Sequence, residues 1–320
     1  MGLCISKLRK DKFLISSNNI GLESESINLS NNRDSNRFHF ENGRRYHNVE
    51  NSVYFLPNDD DECDRLHLQH FIERYIWQSN FFAPVDHLLC QEGAMVLDVG
   101  TGAGSWLLEM ATNYPKAKFI GLDISPIQPE FIKPKNTEFI EANVLETLPF
   151  DNNTFDYIFQ RILYVGIPGN NWPLVVNELV RVLKPGGYIE LLEIDFQYSF
   201  MGPATTRLIN GILIMFDERG LDPMACYKLQ GYLEEHEQLH NVHCEIKKCL
   251  DCEDGNKLCK LSSENYTTAL MAMKPKLMSI IEVSSDEYDN LVKKMGDELM
   301  ELESFNPRVR VYAQKKNMKK

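Results

Sequence analysis

Five residues frame the chemistry open to this chain: Asp98, the glycines at 100, 102 and 104, and Asp123. Alternate glycines permit positive φ and let a backbone approach a ligand with no Cβ in between. An acid just before such a turn, and another 25 residues later, can grip the polar ends of an extended nucleotide-type ligand. The first acid selects among ligands. Beside a pyrophosphate Asp98 would be repelled; beside an ammonium and a sulfonium it is favourable, which points to S-adenosylmethionine. The dinucleotide pattern G-x-G-x-x-G fails, because its sixth position is Ser105 and the third glycine comes one place early. No Lys follows the glycines, as a phosphate-cradling loop would need.

The elements that must position these residues read as an alternation of strands and helices. Ala94 to Val99 is a buried strand running into the turn, and a helix starts near Ser105 with Trp106, Leu107, Met110 and Ala111 on one face. Lys118 to Asp123 is a second strand, whose terminal acid could accept from both ribose hydroxyls; Ile124 follows and could lie against an adenine face. Thr137 to Ile140 is a third strand. After it, the Asn143 amide and the Val144 backbone N–H could meet an adenine edge. Phe155 to Phe159 is a fourth, ending in Gln160 and Arg161. A helix over Trp172 to Leu183, with Leu174, Val175, Leu179 and Val182 inward, stops at Lys184-Pro185-Gly186-Gly187. Tyr188 to Ile194 is the fifth strand. The order β-α-β-α-β-β-α-β implies an α/β fold with a doubly wound, mostly parallel sheet.

On either side the pattern loosens. An acidic start leads into a helix from about Asp61 to Ser79, with an apolar stripe of Leu66, Phe71, Tyr75, Ile76 and Trp77. His67 and His70 on it lack a third ligand at metal-binding spacing, so this helix is expected to cover the cofactor pocket. Pro84 begins a short helix up to Cys90. Beyond Asp195, helices are expected at Thr205–Arg219, Tyr227–His236, Ser263–Met278 and Ser285–Ser304, with strands at Val242–Ile246 and Arg308–Gln314. Cys249-Leu250-Asp251-Cys252, with Cys244 and Cys259 nearby, lacks zinc-knuckle spacing, and no metal is expected.

The 320 residues carry a net charge of −12, and 43% of them are apolar. That is enough for a core, and it argues against a basic nucleic-acid-binding face. Eight cysteines without a secretory leader suggest free thiols in a reducing, cytoplasmic setting. Residues 1–45 read as a tail, with six Ser and six Asn in 16–36. The start Met1-Gly2-Leu3-Cys4-Ile5-Ser6 fits N-myristoylation at Gly2, and Cys4 is placed for palmitoylation. Lys7, Arg9, Lys10 and Lys12 add a basic cluster, so anchoring at the cytoplasmic face of a membrane is an expectation. Residues 46–316 read as one domain, with core 94–195 and covering elements 54–90 and 203–304, followed by a charged tail at 317–320.

As a set, V-L-D-V-G-T-G-A-G, G-L-D-I-S, E-A-N-V-L-E-T-L-P-F with F-D-Y-I, and L-K-P-G-G-Y-I-E-L-L-E resemble class I S-adenosylmethionine-dependent methyltransferases over about 96–195. Tyr54-x-Leu56-Pro57-Asn58-Asp59, Asp64-Arg65-Leu66-x-x-Gln69-His70 and Val311-Tyr312-Ala313-Gln314 extend the likeness to fungal methyltransferases related to the velvet-associated regulator of secondary metabolism. The resemblance implies a Rossmann-like, seven-stranded sheet with its last strand antiparallel. It assigns Asp98, Gly100, Thr101, Gly102, Gly104, Asp123, Ile124, Asn143, Val144 and Gln160 to the cofactor. Asn143 stands where that class usually has Asp. No catalytic base is evident. Arg161 and Tyr164 after strand four, and Glu193 and Asp195 after strand five, are candidates for the acceptor pocket. The expected activity is methyl transfer to an acceptor that could be a small molecule, a protein or a lipid. The alternative is a non-catalytic module of the same fold, a regulator or scaffold tethered to a membrane. A nicotinamide-dependent reductase is disfavoured by Ser105 and by the lack of Tyr-x-x-x-Lys after strand four.

Overall fold

The computed structural model describes residues 37–50, 52–247 and 257–317. The strands among the described residues open with a hairpin, β1 (Phe38–Glu41) and β2 (Arg44–His47). This is earlier than Tyr46, where order was expected to start. The physical reason is the Asn42-Gly43 turn, in which both residues hold positive φ, at 50° and 78°. The hairpin turns Arg44 onto Asp59, with Nε–Oδ2 at 2.5 Å and Nη2–Oδ1 at 2.7 Å.

Asp59 in turn caps α1 (Asp60–Trp77), accepting the Glu62 N–H at 3.2 Å, and three acids occupy the first turn. The buried face of α1 is not the expected stripe. Phe71 and Tyr75 are exposed, while Glu62, Arg65, His70 and Glu73 are buried with Ile72, Ile76 and Trp77. Glu73 pairs with Arg308 at 2.8 Å, and Glu62 takes both Nε and Nη2 of Arg65. Buried pairs of this kind fix where a helix lies more than they add net stability.

Then come α2 (Asp86–Leu89), β3 (Met95–Val99), α3 (Ser105–Asn113), β4 (Lys118–Asp123), β5 (Thr137–Glu141), β6 (Phe155–Arg161), α4 (Trp172–Val182) and β7 (Leu183–Ile194). No helix lies between β4 and β5, contrary to the expected order. Pro126, Pro129 and Pro134 crowd that stretch, each removing an N–H that a helix would need. The chain closes with α5 (Pro203–Glu218), α6 (Ala225–Glu234), β8 (Leu239–Lys247), α7 (Lys257–Ala272), α8 (Lys274–Ile281), α9 (Ser285–Glu301) and β9 (Arg308–Lys315). The expected helix over 263–278 is two helices, because Pro275 starts a new one in its first turn.

Seven strands form one sheet in the order β5-β4-β3-β6-β7-β9-β8. β9, the last in sequence, is antiparallel to both β7 and β8, and the pairs from β5 to β7 are parallel. Helices cover both faces. Leu97, Ile120, Ile158, Ile189 and Leu191 pack with Trp172, Val176, Leu179 and Ile212 on one side. Val96, Phe119, Tyr157 and Phe159 pack with Leu89, Trp106, Leu107 and Met110 on the other. Trp106 stacks on Phe159 with centroids 4.0 Å apart. Leu174, expected to point inward, is 65% exposed. Strand order reverses at β3, so a crevice opens beyond its carboxyl end, where the glycine turn lies.

Candidate functional site

β3 and β4 run parallel, with Asp98 opposite Gly121 and Val99 opposite Leu122. This register sets the two acids on either side of the glycine turn. Asp123 accepts the Gly102 N–H through Oδ2 at 2.8 Å and the Ser125 N–H through Oδ1 at 2.9 Å. Burial pushes its carboxyl above the usual range, and those N–H bonds oppose the shift. Asp98 is buried, and the Thr101 hydroxyl donates to its Oδ2 at 2.6 Å. Burial pushes Asp98 up to about 7, against the pull of Thr101 and of the Arg161 charge.

The turn needs its glycines. Gly100 has φ +68°, and a Cβ there would stand 2.7 Å from Leu163 Cδ1. Gly102 has φ +54° and faces Leu66 Cδ1. Gln128 fastens the turn from the loop after β4, donating to Gly102 O at 2.7 Å and to Ser125 O at 2.9 Å.

Together these groups border a cleft with about 1100 Å³ of non-protein space, part of it open to solvent. Asp98, Gly100, Thr101, Gly102, Asp123, Ile124, Asn143, Val144 and Arg161 all line it. Gly104 begins α3 beside it in the left-handed conformation, φ 83°. Asn143 Oδ1 accepts the Leu145 N–H at 3.0 Å, so the oxygen expected to face a ligand also holds its own turn.

Leu66 and Gln69 of α1 line the cleft, with Tyr54, Pro57 and Asn58 ahead of that helix. Asn58 donates to Ser125 Oγ at 3.3 Å, which ties the approach to α1 to the loop that holds Asp123. These cover residues carry the Tyr-x-Leu-Pro-Asn-Asp pattern, a sequence signal for the site that residue-by-residue chemistry did not reveal.

His67 and His70 have separate partners, Ser105 Oγ at 2.7 Å and Glu109 Oε2 at 2.8 Å. His70 Nδ1 receives Arg161 Nη2 at 3.2 Å. Burial first, and then the Arg161 charge, lowers His70 to about 4. A neutral ring that accepts at Nδ1 and donates from Nε2 fits both contacts. Arg161 is thereby aimed at the cleft by a buried neutral histidine.

Gln160, Glu193 and Asp195 line neither this cleft nor the chamber beside it. Gln160 is buried away from the cleft and donates to Glu193 Oε1. Glu193 also accepts the Leu163 N–H at 2.8 Å, and burial pushes it up to about 8. The cause is strand alternation: Phe159 and Arg161 share one face and Gln160 takes the other, and of the three only Arg161 lines the cleft. Asp195 accepts the Tyr227 hydroxyl at 2.7 Å and the Gln197 N–H at 2.8 Å, and lines neither cavity. Tyr164 lines a second chamber, of about 710 Å³ including space open to solvent, which adjoins the cleft through Tyr54, Leu66, Gln69 and Ile162. Gly2, Cys4, Cys249 and Cys252 lie outside the described residues. Among the described residues, no helix is long and apolar enough to cross a membrane.

Residues 96–187 match the family model described as a methyltransferase domain. The chain is 34% identical over 197 residues to the methyltransferase pytC of Aspergillus terreus, with 58% of each chain covered. It is 36% identical over 183 residues to the protein-methionine methyltransferase laeA of Emericella nidulans, covering 56% of this chain and 47% of that protein. It is 29% identical over 197 residues to the methyltransferase str3 of Strobilurus tenacellus, covering 60% and 68%. The matched part thus spans about half the length of the first two relatives.

Proposed function

We propose that this protein, whose residues 96–187 match a methyltransferase domain and lie in the seven-stranded sheet, transfers a methyl group from S-adenosylmethionine to an acceptor bound beside the cleft. The observation that carries the reading is a pair of carboxylates, buried Asp98 and half-buried Asp123, bracketing a positive-φ glycine turn at the carboxyl edge of the sheet. The cleft fits the cofactor in both shape and charge. A carboxylate held near 7 by burial regains its ionised form beside an ammonium. A Cβ at position 100 would strike Leu163, another residue of the cleft wall.

In this reading Asp98 holds the amino end of the cofactor. Asp123, whose oxygens each keep a lone pair beyond the N–H bonds they accept, takes the ribose hydroxyls. Ile124 and Val144 supply apolar contact for the adenine. When bound, S-adenosylmethionine supplies an activated methyl group on a cationic sulfur. The chain's own contribution is orientation and exclusion of water. α1 lays Leu66 and Gln69 over the cleft, and the Glu73–Arg308 pair keeps the helix there.

The test is calorimetric titration of the purified chain with S-adenosylmethionine and its demethylated product. Binding that is lost in Asp98→Ala supports the reading. No binding by the parent refutes it, and binding without transfer to any acceptor would favour a non-catalytic module.

The finer reading of location, acylation at Gly2 and Cys4, is supported by the Met1–Ser6 pattern and the basic residues after it. Intact mass of the protein expressed with acyltransferases, compared with Gly2→Ala, tests it; a difference of only the one methylene that Ala adds refutes it.

A further inference from the structure

The chamber adjoining the cleft differs from it in chemistry. Its walls are mainly apolar, including Phe196, Ile209, Ile212, Met273 and Met295. Among the described residues, neither a carboxylate nor a histidine lines it. Its one lining cation, Arg65, is already committed: Nε and Nη2 go to Glu62, at 2.8 and 2.6 Å, and Nη1 goes to Asn265 Oδ1 at 3.3 Å. A cationic acceptor would find no counter-ion among the lining residues, and an anionic one would meet an arginine that Glu62 already neutralises. Either charge would be desolvated without return. A peptide segment fares no better, since its backbone groups need partners that apolar walls cannot supply.

Among the polar side chains on the wall, one hydroxyl is both buried and unpaired. Tyr198 is 8% exposed and lines the chamber, and its buried hydroxyl has no hydrogen-bond partner among the described residues. A buried hydroxyl left unpaired is costly, and a ligand that pairs it recovers that cost.

We infer that this chamber takes an uncharged, largely apolar small molecule as the methyl acceptor, with the Tyr198 hydroxyl as its polar anchor. The inference rests on the methyltransferase reading for the word acceptor, but not for the chamber's selectivity. In transfer, a lone pair on the acceptor forms the bond to the methyl carbon as the carbon–sulfur bond breaks. The sulfur keeps that electron pair, and the acceptor's proton passes to solvent.

The experiment measures binding of three bicyclic probes to the full chain, with and without the demethylated cofactor product: neutral 2-naphthol, anionic 2-naphthoate and cationic 2-naphthylmethylammonium. We expect naphthol to bind at least roughly tenfold tighter than either ion, because only the ions lose hydration unrepaid. Ala269→Trp, which fills the chamber from α7, should abolish naphthol binding while leaving product binding intact; Ile212→Phe does the same from α5 should the first variant misfold. Tyr198→Phe should weaken naphthol by about fivefold, the worth of one hydrogen bond. Absence of naphthol binding, equal binding of either ion, or indifference to both filling variants would overturn the inference. Loss of product binding in the parent would instead count against the methyltransferase reading, because the series without product reads the chamber alone.

Discussion

The Asp123 carboxylate receives the Gly102 backbone N–H at 2.8 Å, so an acid at the end of one strand holds the turn at the end of its neighbour. The Ser125 N–H, 2.9 Å away on its other oxygen, completes the clasp. Asp123→Ala strands both donors, at about 1–3 kcal/mol for each one left unpaired. We expect a lower melting temperature together with at least a roughly tenfold loss of cofactor affinity, since one carboxylate serves both tasks. Asp123→Asn, which keeps one acceptor oxygen, should fall between. Thermal melts and calorimetry on the same samples check the pairing of the two effects; an affinity loss with an unchanged melt would remove Asp123 from the turn's support.

Gly100 tests the shape of the turn. At φ +68° a side chain is strained, and a Cβ would stand 2.7 Å from Leu163 Cδ1. Gly100→Ala should cost about 1–3 kcal/mol by urea titration, from strained backbone and crowding together. Adding Leu163→Ala opens the space but leaves φ unchanged, so the double variant should recover cofactor binding only in part. Full recovery would show that crowding alone matters.

Asp98 makes cofactor binding depend on pH. Its carboxyl is pushed up to about 7 in the free protein, so at pH 6 it is mostly protonated and at pH 7.5 mostly ionised. A cationic amino group on the ligand prefers the ionised form, so affinity should rise over that interval with release of a proton. Titrations in buffers of different ionisation heat count the proton. Asp98→Asn should bind weakly and without this rise; a parent whose affinity is flat from pH 6 to 7.5 contradicts the assignment.

Glu193 gives a stability prediction of defined sign. Burial pushes it up to about 8, well above an unfolded carboxyl, so its contribution is complete below the unfolded value and lost as pH rises towards 8. Its Oε2 and Gln160 Oε1 are both buried without partners, and a proton on Glu193 would give that pair a donor. Between pH 5.5 and 7.5 the parent should lose on the order of 1 kcal/mol per pH unit through this group. Glu193→Gln carries no titrating proton and should lose less, as urea midpoints at the two pH values will read.

The central strands were legible because each is a short apolar run ending in an acid, a glycine or a turn, and two of those acids flank the glycine turn. The direction of Gln160 was not legible. It depends on which face each side chain of β6 takes, and that is settled by pairing with β3 and β7. The α1 stripe misled for a related reason. Its buried face is charged, and the partners that make this tolerable, Asn265 and Arg308, lie about 200 residues or more along the chain. Periodicity counts apolar residues and cannot see a charge whose partner is that remote. The Asn42-Gly43 turn and Pro275 were local signals, outweighed in one case by polar surroundings and in the other by an unbroken helical pattern.

The central claim is methyl transfer from the Asp98–Asp123 cleft, and methyl-tritiated S-adenosylmethionine tests it most directly. The purified chain is incubated with the labelled cofactor and a cell extract, then fractionated into protein, lipid and small molecules. The account predicts label in the small-molecule fraction that requires the protein and disappears with Asp98→Ala. Label that is absent from every fraction, or undiminished by Asp98→Ala, would contradict it.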